Sequence, residues 1–374
     1  MKHSSNRTRY FAFAYACALM AGVLSFGPAS AQNGPPPQMD KVLSAAERKE
    51  TIDSMIREVG QRYVLPEVAD KLAAGLAERQ GRGDFERVTS AKELARLLGD
   101  YLHKQSQDKH MGVRYSERTL PIRVTDGKPN AQEVAAELAD MRRRNFGIER
   151  VERRPGNIGY IDLRAFMPAA DAGAAIGSAM ALLNNTEALI IDLRKNGGGE
   201  PATVALLVSY FLDERTHLND LFFRLDNKTE QFWTSEYVYG PKYGSKRDVY
   251  ILTSGRTFSA AEEFGYNMKA LKRAIVVGET TGGGAHPGDV YRLSAHFEMF
   301  IPTGRAINPL TKTNWNGVGV APDVAVPQAR ALAVAEATAL KKLIAAMADP
   351  GRKAGLQERL AEVEFDEPAK VLVR

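Results

Sequence analysis

Residues 157–194 read NIGYIDLRAFMPAADAGAAIGSAMALLNNTEALIIDLR. Two short apolar runs rich in branched residues, NIGYIDL and ALIIDLR, flank the helix-length stretch AADAGAAIGSAMALLNN. Strands joined by a helical crossover form a βαβ unit and lie parallel. The alternation continues with VALLVSYFL (204–212, helix), DVYILTS (248–254, strand), AAEEFGYNMKAL (260–271, helix) and RAIVVGE (273–279, strand). This pattern predicts an α/β fold on a largely parallel sheet. Residues 215–247, with Trp233 and several tyrosines, interrupt it and read as an insertion over one end of the sheet. VYRLSAHFEMFIPTG (290–304) supplies further extended chain, and residues 328–348 a closing helix.

Three helical patterns precede this region. Ser44 and Glu47 spell a capping box ahead of Ile52, Met55, Ile56, Val59 and Tyr63 on one helical face. Pro66 opens a second helix with Val68, Leu72 and Leu76 inward, and Ser90 with Glu93 caps a third. This small helical unit points by itself to no chemistry. The expected division is 1–31 signal peptide, 32–105 linker and helical N-terminal domain, 106–327 main domain, and 328–374 C-terminal helix and tail. No internal repeat is present.

Residues 1–31 have a basic start (Lys2, Arg7, Arg9), the apolar stretch YFAFAYACALMAGVLSF and a small-residue PASA before Gln32. That is the anatomy of a secretory signal peptide, with an uncleaved anchor as the other reading. Without this segment the formal charge falls from +5 to +2, which gives no reason to expect nucleic-acid binding. The single cysteine, Cys17, lies inside the apolar stretch, so the mature chain has no disulfide and no thiol nucleophile. An exported chain without disulfides fits a periplasm or cell exterior, with no stable membrane association after cleavage.

In open α/β sheets, ligands bind beyond the carboxyl ends of the strands. Three loops fall there: RKNGGGEP (194–201), SGRTFS (254–259) and ETTGGGAHPG (279–288). NGGGE is no Walker phosphate loop, because no Lys-Ser or Lys-Thr follows it. A glycine run after a strand either makes a tight turn or exposes amides that suit an oxyanion hole. Ser259, with Glu262 three places on, is either a helix cap or a nucleophile at a helix N-terminus, where the Ala260 N–H favours developing negative charge. A serine nucleophile needs a base. His110 follows Asp108 just after the helical unit, and His286 lies in the third loop; the residues alone do not choose between them. No histidine spacing suggests a metal, and no cofactor is implied.

Taken in order across about residues 108–327, DKHMGV, GYIDL, IIDLRKNGGG, TSGRTFSAAEEF, VVGETTGGGAHPG and INPLTKTNWNGVGVAPDVAV resemble peptidase family S41. The likeness is to the carboxyl-terminal-processing and tricorn-core type, especially the branch related to interphotoreceptor retinoid-binding protein. The resemblance implies a crotonase/ClpP-like α/β core, a helical N-terminal domain, and serine-peptidase chemistry on peptides or unfolded protein segments. It implies Ser259 as nucleophile, His110 as base, and an oxyanion loop at glycines 197–199, centred on Gly198, with Ala260 N–H as second donor.

Three departures bear on this. TTGGGAHP replaces the Gly-Lys-Gly context of processing peptidases, which excludes a Ser–Lys dyad. The interval from His110 to GYIDL is too short for a PDZ domain. NWNG places Asn316 where the tricorn-like branch has a supporting glutamate, and the neighbouring serine of that tetrad falls near Lys109. The alternatives on the same scaffold are a non-catalytic binder of an apolar ligand and a small ester or amide hydrolase.

Overall fold

The computed structural model describes residues 38–121 and 131–365; the expected signal peptide lies outside them. Helices α1 (Ala45–Arg62), α2 (Pro66–Gly81) and α3 (Ala91–Ser106) form as the caps predict. Ser44 accepts the Glu47 N–H while Glu47 reaches back, Pro66 stands in the first turn of α2, and Ser90 accepts the Glu93 N–H. The chain continues through β1 (Gly112–Tyr115), α4 (Ala131–Arg143), β2 (Ile148–Arg154), β3 (Ile158–Leu163), α5 (Ala169–Leu183), β4 (Ala188–Asp192) and α6 (Pro201–Val208). After these come β5 (His217–Phe223), β6 (Lys228–Trp233), β7 (Asp248–Thr253), α7 (Ala260–Ala270), β8 (Ile275–Gly278), β9 (Gly288–Arg292), β10 (Phe297–Pro302) and β11 (Gly304–Ile307). The last elements among the described residues are β12 (Val324–Ala325), α8 (Ala331–Ala346) and α9 (Pro350–Phe365).

The central sheet has six strands in the order β12-β8-β7-β4-β3-β2. Every pairing in it is parallel except β2–β3. Its middle strands are buried on both faces, which is why they read as continuous apolar runs. Leu189 and Ile191 of β4 pack with Val249 and Ile251 of β7 against α5, α6 and α7. Ala188, Ile190, Tyr250 and Leu252 face the other way, onto α8 and α9.

Two antiparallel sheets complete the fold, β1-β10-β9 and β11-β5-β6. The second contains the segment read as an insertion, which is a β-hairpin joined by β11. The helical unit does not close its core alone. Ile52, Met55, Leu72, Leu94 and Leu98 pack in one cluster with Phe297, Met299 and Ile301 of β10. The single closing helix expected over 328–348 is followed by α9, which adds Leu356 and Val363 to the lower core.

β4, β7 and β8 are neighbours running the same way, so the three loops that follow them lie side by side. Backbone bonds tie them together: Phe258 N–H donates to Asn196 O at 3.1 Å, and Gly282 N–H to Thr257 O at 2.9 Å.

Candidate active site

Ser259 is the N-cap of α7, but not with ordinary cap geometry. Its backbone sits at φ 55 and ψ −124, a region costly for any residue with a Cβ. Its N–H donates to Glu262 Oε2 at 2.9 Å, the reverse arm of the capping box. Glu262 does more than cap. Fully buried, it also accepts Gly283 N–H at 2.6 Å, Gly284 N–H at 2.8 Å and the Thr281 hydroxyl. The four donors surround two oxygens and fasten the Ser259 turn to the 281–284 loop. Burial pushes the Glu262 carboxyl up to about 7, against the pull of those donors.

That loop presses on the histidine. A Cβ at Gly284 would stand 2.6 Å from His110 Cε1 and 2.3 Å from Phe258 Cζ, so only glycine fits. The His110 and Phe258 rings are 4.6 Å apart, which brings His110 against the residue preceding Ser259. His110 arrives from the turn after α3, whose C-cap Gln107 adopts the left-handed conformation. Asp108 organises this turn by accepting the His110 backbone N–H on Oδ1 at 3.0 Å.

Asp108 is wholly buried and faces both candidate imidazoles. Its Oδ2 bonds His286 Nδ1 at 2.6 Å and accepts the Tyr63 hydroxyl at 3.2 Å. Its Oδ1 lies 3.9 Å from His110 Nδ1, a nitrogen that is enclosed and without a hydrogen-bond partner among the described residues. Burial pushes the Asp108 carboxyl up, but the His286 bond and the charges of both imidazoles hold it below its ordinary value. Burial drives His110 down to about 4, with Asp108 opposing and His286 assisting. His110 is therefore neutral at neutral pH, the form a base requires. No hydrogen bond joins Ser259 Oγ to His110 or His286.

Asn316 does not stand behind an imidazole. Its Oδ1 accepts Ala285 N–H at 3.2 Å, and Trp315 Nε1 donates to Gly284 O at 2.8 Å, so this turn holds the loop carrying His286. Lys109 Nζ reaches Gly282 O on the same loop.

On the other side of the serine, Gly198 sits at φ 112, and a Cβ there would be 2.7 Å from Ser259 Cβ and 3.1 Å from Ala260 N. The Gly198 N–H donates to Asn196 Oδ1 at 2.8 Å, so Gly198 contributes close approach rather than a free donor. The Ala260 N–H, in the first turn of α7, has no such internal partner, as helix geometry dictates.

The structure thus brings Ser259, Ala260, Gly198, His110 and His286 to one place and sets Asn316 behind the His286 loop. Residue reasoning missed Asp108 as the shared acid, Glu262 as a four-donor acceptor, and Tyr63. The first two carried signals, in Asp-Lys-His and Ser-x-x-Glu; Tyr63 read only as a core residue.

Comparison with known proteins bears on the family and the fold. Residues 157–326 match the profile of peptidase family S41, and residues 40–145 match the N-terminal domain of Peptidase_S41 in eukaryotic IRBP. The chain is 28% identical over 174 residues to carboxyl-terminal-processing peptidase 2, chloroplastic, of Arabidopsis thaliana, covering 46% of this chain and 32% of that one. It is 25% identical over 179 residues to peptidase 1 of the same plant, covering 48% and 35%. The match thus spans about a third of these curated relatives. The solved structure of mature CPAF superposes with a TM-score of 0.52 at 12% identity, over 87% of this chain and 99% of that one, a likeness of fold. With both its helical unit and its parallel-sheet region matched, the chain belongs to peptidase family S41.

Proposed function

We propose that the chain is an exported serine peptidase cleaving peptide bonds in peptides or unfolded protein segments through an acyl-enzyme. The observation that carries this reading is the strained Ser259 at the start of α7, flanked by the unpartnered Ala260 N–H and by a neutral His110. Export rests on the leader-like residues 1–31.

In this scheme His110 takes the Ser259 proton as Oγ attacks the scissile carbonyl carbon. The Ala260 N–H, at the positive end of α7, stabilises the oxyanion. His110 returns the proton to the departing amine, and water then releases the acyl group. Asp108 supplies the acid that Asn316 cannot. A movement of about 1 Å would bring His110 Nδ1–H from 3.9 Å to bonding distance of Asp108 Oδ1, and catalytic hydrogen bonds are often loose before substrate binds. The carboxylate, already held by His286 and Tyr63, then faces the imidazolium with full charge.

A fluorophosphonate probe tests this directly. It should label the wild type at Ser259, lose all labelling in Ser259→Ala and most in His110→Ala. Absence of both labelling and peptide cleavage across a broad substrate panel would overturn it.

A further inference from the structure

Beyond the loops that hold Ser259, a groove of about 390 Å³ runs between α6 and β6. Its floor is one face of α6, Ala202, Leu206 and Ser209; its opposite wall is Phe232 and Trp233, with Arg215 at the rim. We propose that this groove seats the substrate peptide about three to six residues from the scissile bond, preferring an aromatic or large apolar side chain beside an acidic one. The proposal rests on the peptidase reading above and names a specificity site for it.

Its placement follows from chain geometry. Ala202 is three residues beyond Gly199, so the groove begins within about 10 Å of the glycine loop. A helix rises about 1.5 Å per residue, so Ser209 lies about 10 Å further on. An extended peptide advances about 3.3 Å per residue and would cross this interval between about its third and sixth residue.

The chemistry of the walls selects the occupant. Trp233 is 36% exposed, yet its ring is fixed: the His217 ring stacks on it at 4.4 Å and 10°. His217 Nε2 is in turn held by Asp220 Oδ1 at 2.7 Å. With the His217 ring and the Arg215 guanidinium over its faces, Trp233 offers the groove a pre-positioned edge, which loses little freedom when a side chain packs on it. The Arg215 guanidinium lies 4.6 Å from the Trp233 ring centre, and among the described residues no carboxylate pairs with it. An exposed cation on an aromatic ring beside an apolar floor complements an acidic residue next to an apolar one. The polar floor residue is already engaged, since Ser209 Oγ accepts Ser235 N–H and donates to Ala205 O.

The test has two arms. In Ser259→Ala, tryptophan fluorescence is titrated with ten-residue peptides carrying Phe-Glu four and five positions from the cleaved bond, or Ser-Ser in their place. The signal should report Trp233, because Trp315 is buried. Saturable change with Phe-Glu peptides only, abolished by Trp233→Phe, is expected. In the active protein, kcat/KM for Phe-Glu peptides should exceed that for Ser-Ser peptides by about tenfold or more. Trp233→Ala and Arg215→Glu should bring that ratio close to one.

A ratio unchanged in both variants overturns the proposal. So does a concentration-dependent dimer that Trp233→Ala dissolves, which would seat a second copy in the groove, or an apolar small molecule that binds there without competing with peptide. If no peptide is cleaved, the peptidase reading fails, while the fluorescence arm still reports on the groove.

Discussion

Glu262 offers the sharpest test of how the site is held together. Its usual value of 4.5 is raised to about 7, so the folded state holds this proton more tightly than the unfolded chain. The stabilisation this gives is complete below pH 4.5 and is lost as the pH rises through 7. The amount is about 3 kcal/mol, since each pKa unit corresponds to about 1.4 kcal/mol. Activity should move the other way. Three of the four partners are backbone N–H groups that can only donate. The Thr281 hydroxyl, already accepting Val320 N–H, is the one partner able to turn toward a proton, so the ionised carboxylate satisfies the set best and protonation loosens it. Wild-type kcat/KM should therefore fall about tenfold per pH unit below 7, to about 1% of its plateau at pH 5. Glu262→Gln removes the titration. Its amide can turn toward Thr281 and Gly283; the threonine hydroxyl rotates to accept, which leaves the second amide N–H and the Gly283 N–H without an acceptor, at about 1–3 kcal/mol each. The variant should have a lower plateau, no limb near pH 7, and a flatter dependence of stability on pH. Glu263, also raised to about 7 by burial, keeps its own contribution in both proteins and cancels in the comparison. Rate profiles from pH 5 to 9 and urea unfolding at pH 5 and 8 measure both effects. If Glu262→Gln retains the limb near pH 7, the limb belongs to an imidazole and the reasoning is wrong.

Asp108→Asn keeps the shape of the shared acid but not its charge, and should lower kcat/KM by about 10³–10⁴. Tyr63→Phe, which removes only the hydroxyl bond to Asp108, should cost about 1.5–3 kcal/mol of stability and far less rate. A rate for Asp108→Asn within tenfold of wild type would remove Asp108 from the mechanism. At Ser259, φ 55 and ψ −124 imply strain of about 1–3 kcal/mol that alanine shares and glycine relieves. Ser259→Gly should unfold at higher urea than Ser259→Ala, the gain reduced by about 0.5–1 kcal/mol for the looser unfolded chain. Equal midpoints would show that the turn stores no strain.

The parallel sheet was legible because strands buried on both faces leave no room for polar residues; β3, β4 and β7 read as apolar runs for that reason. α4 and α9 were not legible. Each is charged and mostly exposed, with Met141 the one buried residue of α4 and Leu356 and Val363 those of α9. Ser259 and His110 stand in short motifs, but it is the ordered resemblance, not the residues alone, that proposes His110 over His286. The Asp108–His286 bond joins residues 178 apart, and nothing local to either marks the other as its partner. Glu262 was half-read: Ser-x-x-Glu announces a capping box, but a capping box gives no hint that three further donors from the 281–284 loop share the carboxylate. Asn316 marks the place where the resemblance expects an acid, and the sequence does not say which other element carries a carboxylate to the imidazoles.

The helical unit, which reads as devoid of chemistry, bears on every proposed step. Tyr63 caps α1 and bonds Asp108; Asp108 and His110 occupy the turn that leaves α3. Ser259, Ala260 and Gly198 come from the parallel sheet, and His286 from the loop between β8 and β9. In the proposed scheme base and acid are thus carried by one part of the chain and the nucleophile by another. Their separation is set by how α1–α3 pack on Phe297, Met299 and Ile301 of β10. Hydrophobic packing of that kind is unforgiving of small changes in volume, so a cavity there would shift His110 relative to Ser259 without touching either. The spacing of His110 Nδ1 and Asp108 is local to one turn, whereas the approach of that turn to Ser259 is a property of the interface. Core substitutions at this interface should therefore change rate out of proportion to stability, because the site spans two bodies of packing and belongs wholly to neither.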